Sequence, residues 1–217
     1  MIELYQKATS LGGKEEQVVS VADQQAAGLP PANMVPSSWS LDGRYLIYSM
    51  MVGGSGGFDL WLLPNPGAAP HNPKPVKLFG SPADEIQGSF SPDGRLIAYT
   101  SNESGTYQVY VQTYPLSDRK WPVSTNGGYE PHWRADGREI YYLSEDRKLM
   151  AVPIGPGPSF GVPKPLFQTR VSAGVDPLRR HFVPARDGQR FLVNTQTGDP
   201  APNPITVVLN WTAGLKK

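Results

Sequence analysis

The sequence predicts an all-β fold: a β-propeller, partial or small, of about four blades, each a four-stranded antiparallel sheet. Three observations predict it. An Asp-Gly turn between alternating strands recurs, with its glycines at 43, 94, 137 and 188, so the spacings are 51, 43 and 51. A period of this size with several strands per unit marks a propeller. The 23 Gly and 23 Pro, with ten Tyr and five Trp, suit short strands joined by tight turns. No segment sustains the apolar period of a helix.

The clearest copy is Ser89-Phe90-Ser91-Pro92-Asp93-Gly94-Arg95-Leu96-Ile97-Ala98-Tyr99-Thr100. Gly94 accepts positive φ, and Asp93 can hydrogen-bond its own backbone, so the dipeptide signals a hairpin. Beyond it, Leu96, Ala98 and Thr100 alternate with Ile97 and Tyr99. The other copies run Trp39 to Tyr48, Trp133 to Tyr142 and, more weakly, Pro184 to Val193.

The whole chain, 1–217, reads as a single propeller domain, with strands A to D from the channel outward. Residues 1–21 hold a partial blade, with a C-like strand at 2–7, a turn at Gly12-Gly13 and a D-like strand at 16–21. A polar link over 22–34 follows, with one helical turn expected near 22–27. The blades then cover 36–80, 86–125, 129–169 and 180–213, the last lacking its outer strand. The D-like strand at 16–21 either completes that last blade, giving a four-bladed ring, or leaves the fragment open. An open fragment is the favoured expectation, with open edges that two copies could close as a homodimer.

Composition excludes several classes. The formal net charge of +1 provides no basic stripe for nucleic acid. The absence of Cys removes disulfides and thiolate metal sites. No apolar run approaches the ~18 residues of a membrane span. The N-terminus is not that of a signal peptide, so the chain itself is expected to be soluble. Any targeting segment of a longer parent would lie outside these residues.

Counting back from each turn glycine locates the candidate site. Seven residues back stand Pro36, Gln87, Glu130 and His181; five back stand Ser38, Ser89, His132 and Val183. The A strand lines a propeller's channel, so Gln87, Glu130 and His181 are expected to converge at one mouth, with His132 and Ser89 nearby. Such convergence is the default mark of a binding site. Glu130 and His181 are also of the type that ligates a divalent cation, although solvated channel residues would look the same. No catalytic residue is assigned. His132 reads as a packed strand residue, and His71 as exposed in the Pro-rich loop. Gly53-Gly54-Ser55-Gly56-Gly57 matches the nucleophile elbow literally but joins two strands, whereas the elbow requires a strand-to-helix turn. Trp39, Phe90 and Trp133 share one repeat position and are expected in the core between blades. Asp42, Asp93, Asp136 and Asp187 are expected to hold the turns.

The segment from Phe90 to Arg95, then Ile97-Ala98-Tyr99, Ser101 to Gly105 and Val109-Tyr110-Val111, resembles the repeat of TolB-type, WD-like propellers. Asp59-Leu60-Trp61, Tyr110-Val111-Gln112, Lys120 to Ser124, Arg147 to Pro153, Arg190 to Asn194 and the terminal stretch from Ile205 are similar to the C-terminal propeller of bacterial proteins that carry a serine/threonine protein kinase domain. No kinase motif is present here. The resemblance implies part of a larger propeller, or a short relative, placed outside the cytoplasm in the periplasm or at the cell surface. The function expected is a non-enzymatic module binding a protein, a peptide or a small ligand in the channel. The alternatives are an ester or lactone hydrolase, with a channel metal or a carboxylate/His site, and an assembly domain that closes by homodimerisation.

Overall fold

A computed structural model describes residues 3–7, 14–29, 31–51, 57–66, 74–79, 81–157, 159–172, 174–195 and 205–209. The expected Gly12-Gly13 turn, most of the glycine-rich loop with Ser55, His71 and the end of the chain beyond 209 lie outside the described residues. The architecture is all-β, a β-propeller arc of antiparallel sheets.

β1 (Leu4–Lys7) and β2 (Glu15–Val19) form an antiparallel pair. The helical turn is α1 (Val21–Ala26). Its start is fixed by a capping box: Ser20 Oγ accepts from Asp23 N at 3.0 Å, and Asp23 Oδ2 accepts from Ser20 N at 2.7 Å. Buried Gln24 then clamps the link, accepting from Ala32 N at 2.8 Å and donating to Ala32 O at 3.3 Å.

The first sheet is β3 (Met34–Trp39), β4 (Tyr45–Met51), β5 (Phe58–Pro64) and β6 (Val76–Lys77), in that order. The second is β7 (Glu85–Phe90), β8 (Leu96–Ser101), β9 (Gln108–Thr113) and β10 (Lys120–Pro122). The third has β11 (Tyr129–Trp133), β12 (Glu139–Leu143) and β13 (Lys148–Gly155). Its long β13 pairs both with β14 (Ser159–Phe160), a short strand the sequence does not announce, and with β15 (Lys164–Gln168). The fourth is β16 (Phe182–Pro184), β17 (Arg190–Asn194) and β18 (Ile205–Leu209).

Each Asp-Gly turn is built alike. Ser91 Oγ donates to Asp93 Oδ1 at 2.6 Å and accepts from Leu96 N at 2.9 Å, while Asp93 Oδ1 accepts from Arg95 N at 3.1 Å. Gly94 sits at φ 71°, which a side chain at that position would resist. Ser40 and Asp42 reproduce the same contacts, and Asp136 and Asp187 hold the later turns through the backbone N–H two residues on. The aspartates are therefore structural, as expected.

The sheets stack in sequence order. The β1–β2 hairpin covers Leu46, Tyr48 and Met50 of the first sheet. Ile47, Leu60 and Leu62 meet Phe90, Ile97 and Tyr99 of the second. Ala98, Val109 and Val111 meet Trp133, Ile140 and Val152 of the third. Tyr141, Leu143 and Leu149 meet Phe182, Phe191 and Val193 of the fourth. Strands buried on both faces read as continuous apolar runs, which is why β4 and β12 do not alternate in polarity.

One core expectation fails. Phe90 and Trp133 are buried, but Trp39 at the same repeat position is 46% exposed. Trp133 shows the reason: its indole Nε1 donates at 3.0 Å to Ser89 O, on the inner strand of the preceding blade. Among the described residues the sheet preceding Trp39 pairs β1 with β2 alone, so no inner strand is presented there. Among the described residues β2 forms no ladder with β18, and the arc is open at both ends.

Candidate functional site

The inner strands β3, β7 and β11 each carry a register shift, between Pro36 and Ser38, Ile86 and Ser89, and Tyr129 and His132. A bulge of this kind re-aims a side chain. Gln87 and Glu130 stand in the bulges at φ 58° and 60°, the left-handed region that ordinary residues avoid. Gly88 makes the second bulge possible, because a Cβ there would lie 2.8 Å from Ile47 Cγ2.

The bulges pass hydrogen bonds from blade to blade. Gln87 Oε1 accepts from Glu130 N at 2.8 Å and from Thr100 Oγ1 at 3.0 Å. Glu130 in turn accepts from His181 N at 2.8 and 3.0 Å and from Phe182 N at 3.3 Å, and its Oε2 lies 2.8 Å from His181 Nδ1. The residue seven before one turn glycine thus holds the backbone of its equivalent in the next blade. His181 Nε2 lies 2.9 Å from Ser172 Oγ.

The connection between the third and fourth blades closes over this cluster. Gln87 Nε2 donates to Asp176 O at 3.1 Å, and Arg180 Nη2 reaches Ser37 O of the first blade at 3.2 Å. His132 Nε2 lies 3.5 Å from Glu130 Oε1, and its ring meets Phe182 edge-on at 4.7 Å.

Glu130 is fully buried. Burial alone would raise its carboxyl. The hydrogen bond with His181, the His132 ring 3.5 Å away and the charge of Arg180 outweigh that and hold it at about 2. Burial lowers His132 and Arg180.

The structure therefore brings Gln87, Glu130 and His181 together, as counting back predicts, with His132 at the edge. It corrects their setting: all three are buried and bonded to one another, not solvated at a channel mouth. Ser89 takes part through its backbone carbonyl. Both His181 ring nitrogens already face protein atoms, and among the described residues no group of three or more His, Cys, Asp or Glu is placed to hold a metal ion. Ser172, Arg180 and Thr100 were not reached by counting back from the turns. Thr100 lies on the strand after a turn, and the other two lie in the blade connection, where no repeat register applies.

A second buried carboxyl stands at the start of β7. Glu85 Oε1 accepts from Ser81 Oγ, and its Oε2 is buried with no hydrogen-bond partner among the described residues. Burial pushes its carboxyl up to about 7. A folded value above the ordinary 4.5 means that Glu85 favours the fold when protonated, and that this contribution is lost as pH rises through about 7. Glu85→Gln is expected to flatten the decline in thermal midpoint between about pH 4.5 and about pH 7, the interval between the ordinary and the folded value. Parallel declines in variant and wild type would refute it.

Fold and inner-strand geometry together define a β-propeller. No protein-family model matches the sequence, and no curated protein matches it. Among solved structures the chain is similar to TolB from Acinetobacter baumannii, at 16% identity and a TM-score of 0.68, over 90% of this chain and 43% of that one. It is similar to an oligogalacturonate lyase in complex with manganese, at 12% identity and a TM-score of 0.61, over 93% of this chain and 55% of that one. A TolB-like protein from Agrobacterium tumefaciens matches at 18% identity and a TM-score of 0.50, over 63% of this chain and 50% of that one. At these identities the likeness establishes the fold. The chain spans roughly half the length of the propellers it matches.

Proposed function

We propose that this chain is a binding module: a β-propeller arc that recognises a protein or peptide, as the sensor or interaction part of a larger bacterial signalling or TolB-like protein outside the cytoplasm. The kinase-fusion resemblance and the TolB-like fold support that setting. No helix among the described residues is long and apolar enough to cross a membrane.

One observation carries the binding reading. The polar residues of the inner strands bond to one another, while residues of the Asp-Gly turns line a cavity. This cavity, of about 940 Å³, lies between the second and third blades, lined by Pro92, Arg95, Leu96, Trp133, Arg138 and Ile154, with exposed Leu41 at its edge. An apolar floor with a few charged groups at the rim is the usual make-up of a recognition site.

The test is selection of random peptides on the 217-residue chain. Selected peptides are expected to lose binding to a Leu41→Asp/Arg138→Glu variant that retains the wild-type thermal midpoint. Equal binding to both proteins would overturn this placement.

The open ends favour a second reading, assembly of two copies. Trp39 at one end, and Val183 and Leu192 at the other, are apolar groups at least 46% exposed. Light scattering at twice the mass of one chain, reverting to one in Leu192→Asp, would support it; a monomer at high concentration would exclude it.

A further inference from the structure

We propose that Ser172 is an activated nucleophile, with His181 as its base and Glu130 as the acid that orients the base, and that it accepts the acyl group of small carboxylic esters. This inference is independent of the binding reading.

The order of contacts carries it. Glu130 Oε2 lies 2.8 Å from Nδ1 of His181, and Nε2 of the same ring lies 2.9 Å from Ser172 Oγ. Glu130 is ionised, so it accepts, and Nδ1 must carry the proton. In the tautomer that carries its proton on Nδ1, Nε2 keeps its lone pair and accepts from the Ser172 hydroxyl. This is the connectivity of nucleophile, base and orienting acid that defines acyl-transfer triads on unrelated folds.

The supporting bonds fit that use. Backbone N–H groups of His181 and Phe182 hold the carboxylate in place beside the imidazole. Val171 is buried between the third and fourth blades and fixes the backbone one residue before the serine. Ser172 itself is only half-buried. No heavy atom would lie within 4 Å of a Cβ on Gly174, two residues on, so the space at that position is open. Arg180 Nη1 is buried and has no hydrogen-bond partner among the described residues, and its charge acts on Glu130 within the same cluster.

The step balances without any further reagent. Ser172 Oγ attacks the ester carbonyl carbon as its proton passes to His181 Nε2. Collapse of the tetrahedral intermediate breaks the bond to the alcohol oxygen, which takes that proton from Nε2. Water then repeats the sequence on the acyl-serine, releasing the carboxylic acid and restoring the hydroxyl.

The experiment uses the 217-residue chain with a fluorophosphonate probe, read by intact mass and peptide mapping, and 4-nitrophenyl acetate as substrate. A single label is expected on Ser172, absent after heat denaturation. Ser172→Ala is expected to lose the label and at least about 100-fold of the esterase kcat/KM while keeping the wild-type thermal midpoint. Ser144→Ala, a change in a turn distant in sequence, is expected to keep both. Absence of label on Ser172 in the folded chain, or equal turnover by Ser172→Ala and wild type, would overturn the proposal.

Discussion

Glu130→Ala is expected to destabilise the protein by about 3–5 kcal/mol, the cost of removing one partner from a buried charge-bonded group. The alanine leaves the N–H groups of His181 and Phe182 buried without their acceptor, and removes the charge that faces His132 and Arg180. Glu130→Gln keeps an acceptor oxygen and the shape, so it is expected to cost less. The acid limb of the stability curve supplies a separate readout. The folded carboxyl, at about 2, lies below its ordinary value of 4.5. Its contribution is therefore complete above about 4.5 and lost as pH falls through about 2. Urea unfolding at neutral and acid pH measures both; a loss under about 1 kcal/mol in Glu130→Ala would show that the cluster does not hold the blades.

The second large effect lies in the last blade. Phe191 is fully buried, with its ring 4.9 Å from Tyr141 edge-on, 5.9 Å from Phe167 and 6.4 Å from Phe182. Phe191→Ala is expected to cost about 3–5 kcal/mol, combining lost burial with a cavity that the three packed aromatic neighbours cannot fill. Its neighbour Leu192 points to the opposite face and is 50% exposed, so Leu192→Ala is expected to cost under about 1 kcal/mol. Denaturation curves of the two variants side by side test the register of β17; similar losses in both would contradict it.

The fold was legible because the Asp-Gly turn encodes itself locally. Ser91, Asp93 and Gly94 bond within the hairpin, so four copies at regular spacing set the phase of every blade. That phase also brought Gln87, Glu130 and His181 to one place. Their burial was not legible. It depends on left-handed backbone at Gln87 and Glu130, residue types that do not advertise positive φ, and on bonds between residues 43 and 51 apart in the chain. Trp39 shows the same limit: its residue type and repeat position match Trp133, but among the described residues no inner strand precedes its blade to cover it. Ser172 lies where the repeat has no register, so only the fold places it beside His181.

The connection running from Asp176 to His181 alters how the arc should come apart. A stack in which each unit meets only its neighbours unfolds piecemeal, with the end units fraying first. Here that one segment bonds to the first, second and third blades at Ser37, Gln87 and Glu130. It closes a loop of more than a hundred residues between the first blade and the fourth, and so couples the opening of one end to the other. Amide exchange in β3 and β16 should therefore follow a common opening event rather than two independent ones.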